Sequence, residues 1–189
     1  MALRCAELHL RLLTFFSRMI AFCSLSKKMV FQSVCDRVWK KLKGWKEKCL
    51  SRAGKEVLLK AVIQATPMYA MQCFELPVTL CEEMERLCKD FRWGQGNDTA
   101  KLPLISWASI CKPKKEGGLG FRKFKCFNRV LLAKQGWRLL HQPESLAAQV
   151  LKAKYFPRGS FWEAQLGHQP SFTWRSILRG REVLREGCY

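Results

Sequence analysis

Apolar side chains in this chain recur at steps of three and four residues, and no run sustains alternation at a step of two. An α-helix turns once in about 3.6 residues, so such steps line apolar groups along one stripe, whereas a half-buried strand needs strict alternation. The clearest stripe is Phe31, Val34, Val38, Leu42 and Trp45. Lys40, Lys43 and Glu47 fall on the opposite side, with Arg37, Lys41 and Lys48 flanking. The spacing predicts a helix that buries the stripe and turns the basic side to water.

Local signals extend the helical reading along the chain. Ser51 offers an oxygen to cap a second helix, whose apolar face is Leu58, Leu59, Val62 and Ile63 until Pro67 stops or kinks it. Thr79 and Glu82 stand at the spacing of a capping box, opening a third helix through Leu80, Met84, Leu87 and Phe91. Gly94, Gly96, Asn97 and Asp98 read as an exposed loop. Ser106 caps a short turn through Trp107 and Ile110, and a basic, glycine-rich loop follows from Lys112 to Gly120.

Helical spacing returns from Phe127 to Leu140, with Val130, Leu131, Lys134, Trp137 and Leu140 at helical intervals. Pro143 suits the first turn of a helix ending near Tyr155. Residues 157–170 read as a loop, and Ser171 to Glu186 as a last helix. The expected fold class is all-α, an irregular bundle of about five to seven helices over residues 26–187, after a divergent segment at 1–25. No internal repeat or low-complexity tract is present.

Charge narrows the partners. Thirty-four Lys and Arg against fifteen Asp and Glu leave a formal charge of +19, whose self-repulsion opposes compaction. A polyanion relieves it, and nucleic acid is the usual one because neutralised phosphates release condensed counterions. An anionic membrane surface is the next candidate; a piece of a larger acidic whole and a basic scaffold are the plain alternatives. Hydrophobic residues at 48% argue against wholesale disorder, and seven Trp and twelve Phe supply apolar bulk for a core.

Met1 to Leu25 carries Arg4, Arg11 and Arg18 with Glu7 alone acidic. The stretch is compatible with a mitochondrial presequence, and equally with a chance upstream reading frame. Arg18 leaves its apolar run too short to span a bilayer, so no membrane partner is expected, and the compartment is open between nucleus, cytoplasm and mitochondrion.

Catalytic chemistry has little to work with. Two-metal nucleotidyl transfer needs converging carboxylates, yet the three aspartates, Asp36, Asp90 and Asp98, are far apart. Glu82 and Glu83 are the one acidic doublet, and a position in a first helical turn explains them through the helix dipole. The run from Glu116 to Phe121 lacks the ending of a P-loop, and Lys123 stands where the dinucleotide fingerprint has its third glycine. A turn allowing close approach to a neighbouring helix explains it better.

None of the ten cysteines stands in a Cys-x-x-Cys pair, and His9, His141 and His168 are not at ligand spacing from them. Neither His141 nor His168 has the context of a general base. The expectation is therefore no catalytic residue, no metal, no cofactor, and reduced thiols buried as small hydrophobes.

What remains is a run of cations interleaved with aromatics: Arg37, Trp39, Lys40, Lys41, Lys43, Lys46, Lys48, Arg52 and Lys55. Lys and Arg bind phosphates, and an exposed aromatic stacks on a base. Trp45 belongs to the core stripe; Trp39 lies off it. Lys112, Lys114 and Lys115 before the glycine turn are further phosphate candidates. A merely solvated basic face is the alternative.

Several segments resemble the region just downstream of the reverse transcriptase core in plant LINE-type retroelements. They are Asp36 to Lys46, Leu50 to Lys60, Pro67 to Met71, Phe91 to Gly94, Glu116 to Arg122, Leu131 to Arg138, Lys154 to Pro157 and Ser171 to Ile177, in the same order and covering roughly Ser26 to Gly187. The family's polymerase carries out target-primed DNA synthesis on an RNA template, with two metal ions held by palm aspartates. The resemblance implies that those aspartates lie upstream of Met1. It places a cysteine–histidine zinc segment, and the ribonuclease H domain of some members, downstream of Tyr189.

This chain would then hold the thumb-like and connecting helices that grip the primer–template duplex. No position matches the catalytic motif, so no catalytic residue carries over. The implied partners are RNA or DNA, through phosphates, and the missing polymerase domains in trans. A translated remnant of a decayed element, without a selected role, is the inert alternative.

Overall fold

In the computed structural model, residues 27–46, 50–93 and 105–187 are described, and every regular element among them is a helix. The elements are α1 (Lys27–Lys46), α2 (Arg52–Leu58) running into a π-helical turn (Leu59–Ile63), α3 (Met68–Cys73), α4 (Val78–Trp93), α5 (Trp107–Ile110), a 3-10 turn (Lys114–Glu116), α6 (Phe124–His141), α7 (Leu146–Tyr155) and α8 (Phe172–Gly187). The all-α expectation holds, with more helices than expected. One addition is α3, which starts directly after Pro67, its N-cap, while the preceding helical run already ends at Ile63. Residues 1–25 and the Asn97–Asp98 loop lie outside the described residues.

Side-chain caps fix several starts. Ser51 Oγ accepts the Gly54 amide at 3.1 Å and Ser106 Oγ accepts that of Ser109 at 3.2 Å, both as expected. Two expectations fail. The Leu80 and Cys81 amides donate to the Pro77 carbonyl at 3.1 and 3.2 Å, so Pro77 takes the N-cap place and Thr79 lies inside α4, where it cannot open a capping box. Similarly, α7 is capped by Ser145, whose Oγ accepts the Ala148 amide at 3.3 Å, and Pro143 lies in the turn before it.

Most of the core forms from α1 to α6. Val34, Val38 and Leu42 are buried, with Phe31 and Trp45 packed half-buried beside them. In α4 the buried stripe is Cys81, Met84, Cys88 and Phe91, so two thiols take places that Leu80 and Leu87 only flank. A second cluster joins α7, α8 and the 157–170 segment around Trp174, whose ring stacks on Tyr155 at 4.6 Å between centroids and on Phe156 at 5.6 Å.

Helix α6 touches both clusters. It buries Asn128, Leu131, Leu132, Ala133 and Gly136 and turns Val130, Lys134 and Trp137 to solvent, which corrects the single stripe expected there. It also starts at Phe124, because Glu85 of α4 accepts the Phe124 amide at 3.1 Å and supplies a cap from a distant element. Its closest neighbour is α8. A Cβ at Gly180 would lie 2.6 Å from the Ala133 nitrogen, so glycine lets the two backbones meet.

The corner between α3 and α4 is held by polar groups from α6 and α8. Buried Asn128 donates to the Met71 and Phe74 carbonyls and accepts the Leu76 amide. Ser176 Oγ accepts the Glu75 amide at 2.9 Å while donating to Phe172 O at 2.8 Å. A buried backbone group without a partner costs free energy, and this corner has no ladder of its own to supply one.

Candidate nucleic-acid interface

The buried stripe of α1 fixes what its other side presents. Arg37, Lys40, Lys41 and Lys43 are exposed, and Trp39 between them is 49% exposed. Lys43 Nζ lies 5.0 Å from the Trp39 ring centroid, one helical turn away, so cation and aromatic form one unit. Lys41 is partly committed, donating to Thr66 Oγ1 at 3.4 Å. Lys46 closes the helix; its side chain, and all of Lys48, lie outside the described residues. Trp45 turns inward, its ring 6.2 Å from that of Phe91.

Arg52 is exposed at the start of α2. Lys55 is less free than its sequence context suggests, half-buried with Nζ 5.7 Å from the Phe91 ring centroid. Lys112, Lys114 and Lys115 are exposed in their loop. The glycines there close the loop. Gly117 and Gly120 have φ of +78° and +69°, and a Cβ at Gly118 would collide with the Lys112 carbonyl. The Leu119 and Gly120 amides return to Ile110 O and Lys112 O, both at 2.9 Å.

Glu56 of α2 reaches across to α4. Its carboxylate takes Lys60 Nζ at 2.6 Å and lies 4.0 Å from Arg92 Nη1. The Lys60 hydrogen bond pulls the Glu56 carboxyl below the usual glutamate range against the opposing effect of burial, with the charges of Lys60, Arg92 and Lys114 adding to it. Lys60 Nζ and the Arg92 guanidinium also share the Phe121 ring, at 5.1 and 5.8 Å. Lys60 and Arg92 thus meet at one carboxylate, and the charge of Lys114 in the loop acts on it as well. Lys60 and Arg92 escaped the sequence reading because Glu56 and Lys60 look like an ordinary surface pair at i,i+4.

Helix α6 contributes a further basic surface. It has no acidic residue, and Lys125, Arg129 and Lys134 are exposed around Val130 and Trp137. Trp137 is 42% exposed, and the His141 ring lies against it at 3.7 Å between centroids and 25° between planes. His168 is exposed in the 157–170 segment.

Most of the described thiols are placed for packing. Cys35, Cys73, Cys81 and Cys88 are buried, Cys111 is half-buried and Cys126 exposed. Burial pushes the Cys81 and Cys88 thiols up to about 12, and those of Cys35 and Cys111 to about 11. Glu82 and Glu83 are exposed in the second turn of α4 rather than the first-turn position expected, because the helix starts at Val78, and Glu83 accepts the Cys35 thiol at 3.8 Å. Among the described residues, no three His, Cys, Asp or Glu side chains gather as metal ligands would, and no helix is long and apolar enough to cross a membrane. What this surface can do chemically is attract phosphates and offer aromatic faces.

No family model matches the chain. It is 41% identical over 164 residues to the "Putative ribonuclease H protein" of Arabidopsis thaliana, an alignment covering 85% of this chain and 26% of that protein. The chain thus spans about a quarter of that relative's length. It is 43% identical over 124 residues to the "Uncharacterized mitochondrial protein" of Arabidopsis thaliana, covering 65% of this chain and 80% of that protein. With that identity over four-fifths of the relative's length, the chain belongs to the same protein family as the Arabidopsis mitochondrial protein.

Proposed function

We propose that this chain is a non-catalytic, nucleic-acid-binding segment derived from the reverse transcriptase of a plant LINE-type retroelement. The observation that carries the binding is the outward side of α1, where Arg37, Lys40, Lys41 and Lys43 stand exposed around Trp39 on a chain of net charge +19. Contacts of this kind neutralise phosphates without reading base edges, so binding is independent of sequence and weakens steeply with salt. Arg52 and the loop lysines Lys112, Lys114 and Lys115 extend the surface. The retroelement origin rests on the ordered sequence segments, and the 41% identity to a protein named for ribonuclease H supports it.

The test is anisotropy of labelled RNA and of primer–template duplex, titrated at several salt concentrations against the protein and its Lys40→Glu/Lys41→Glu/Lys43→Glu variant. The variant should lose most of its affinity, and its salt slope should fall by about one unit for each phosphate contact removed. Equal affinity of the two proteins sinks the assignment of α1.

A second reading is an accessory segment that completes a polymerase in trans. Exposed apolar residues Leu146 and Val150 on α7 favour it, because they suit burial against a further domain. Primer extension with a separately expressed palm fragment decides the matter: no gain on mixing rejects it.

A further inference from the structure

Exposed tryptophan is costly to solvate, and α1 and α6 each display one in the same setting. Trp39 has Lys43 one turn on, 5.0 Å from its ring centroid, and Trp137 has His141 one turn on, stacked at 3.7 Å. In both, a basic-type side chain at i+4 lies against the ring and restricts the rotamers open to it. Trp137 is further steadied because His141 Nδ1 lies 3.2 Å from the Trp137 carbonyl, keeping the imidazole over the indole.

The surroundings of Trp137 differ from a patch awaiting protein. Helix α6 carries no carboxylate over its eighteen residues, and Arg129 and Lys134 are exposed on its outward side along with Trp137. An apolar protein surface gains nothing from those unopposed charges, whereas a nucleotide strand presents flat bases and a phosphate at every step. Val130, 52% exposed on the same outward stripe, adds apolar surface one turn before Lys134.

From this juxtaposition we infer that Trp137, backed by His141 and with exposed Lys134 on the same outward side of α6, is a stacking platform for an unpaired nucleobase. The inference rests on the nucleic-acid reading above and deepens it. The α1 cations grip phosphates of any strand; Trp137 accepts a base only where one is unstacked. The chain would then favour single strands, or duplexes with a single-stranded overhang, over blunt duplex of equal length.

The experiment compares labelled single-stranded RNA, blunt duplex and overhang duplex in anisotropy titrations with the full chain. Trp137→Ala should weaken single-strand and overhang binding by roughly fivefold to a hundredfold while leaving blunt duplex unchanged, and Trp137→Phe should restore most of the loss. Trp137→Leu, which keeps apolar bulk at an exposed position but no flat ring, should show the same selective loss and serves should Trp137→Ala fail to fold. Photocrosslinking of thiouridine-bearing RNA should then map to the peptide containing Trp137.

Unchanged single-strand affinity in Trp137→Ala, or a crosslink map without that peptide, overturns the platform and leaves the stripe to a protein segment. An equal loss on all three ligands also overturns it. If Lys40→Glu/Lys41→Glu/Lys43→Glu still loses binding in those cases, the nucleic-acid reading stands. If neither variant changes binding, that reading fails as well.

Discussion

The side-chain nitrogen of Asn128 lies 2.7 Å from the Met71 carbonyl and 2.9 Å from that of Phe74, while its oxygen accepts the Leu76 amide at 2.8 Å. One buried carboxamide therefore satisfies three backbone groups around the α3–α4 corner. Asn128→Leu keeps similar bulk but strands all three. It should destabilise the protein by about 3 kcal/mol in urea titration, since each unsatisfied buried group costs ~1–3 kcal/mol and part of the corner relaxes to water. Asn128→Asp should be at least as damaging, because it removes both donors and buries a charge. A loss well under 1 kcal/mol for both would mean that the corner is wetter than it stands here.

Backbone contact between α6 and α8 leads to a second expectation. At Gly180 a Cβ would press on the Ala133 and Leu132 backbone at 2.6 and 2.7 Å, so Gly180→Ala must separate the helices. At Gly136 it would meet the Phe161 ring at 2.9 Å and the Leu184 side chain at 3.0 Å, which can yield. Thermal melts should show the larger fall for Gly180→Ala, about 1–3 kcal/mol of overpacking, and a smaller one for Gly136→Ala. The reverse order would contradict the packing described.

Glu56 sets an acid limit. Its folded carboxyl titrates below the usual range, chiefly through the Lys60 hydrogen bond. A depressed carboxyl contributes fully above its unfolded value, about 4.3, and loses that contribution as pH falls through its folded value. Stability should therefore drop on acidification below the ordinary glutamate range, and Glu56→Gln should flatten that part of the profile. Parallel profiles for the two proteins would show that the Lys60 contact contributes nothing in solution.

The thiols give an alkaline counterpart. Cys81 and Cys88 are raised to about 12 and Cys35 and Cys111 to about 11, mainly by burial. A raised thiol stabilises below its ordinary value, about 8.5, and loses that contribution as pH climbs through the folded one. At pH 8, iodoacetamide should modify exposed Cys126 well before these four, with sites read by mass spectrometry, and denaturant should erase the difference. Fast labelling of Cys88 in the folded chain would refute its place in the α4 core.

Sequence spacing revealed what depends on neighbouring residues. The stripe of α1, the Ser51 and Ser106 caps and the outward place of Trp39 all follow from periodicity and short-range hydrogen bonding. It failed where a distant group intervened. The true start of α6 is set by Glu85, and Asn128 and Ser176 look like ordinary polar residues until the corner they serve is in place.

Helix α6 misled for a different reason: buried against both clusters, it has apolar residues nearly all round, so its sequence did not separate the inner stripe from Trp137. Within the candidate interface, the exposure of Arg37, Lys40, Lys41 and Lys43 was legible. The grouping of Lys60, Arg92 and Lys114 around Glu56 was not, because it joins two helices and a loop.

The Ser176 hydroxyl that accepts the Glu75 amide belongs to a residue 101 positions later in the chain. During synthesis, Glu75 leaves the ribosome long before α8 exists, and a growing chain gains a residue only every ~0.05–0.2 s. For several seconds, on the order of that interval times the separation, the α3–α4 corner must wait with unfilled backbone groups, open to chaperones and proteases. Any transcript that stops short of α8 yields a polypeptide for which that wait never ends.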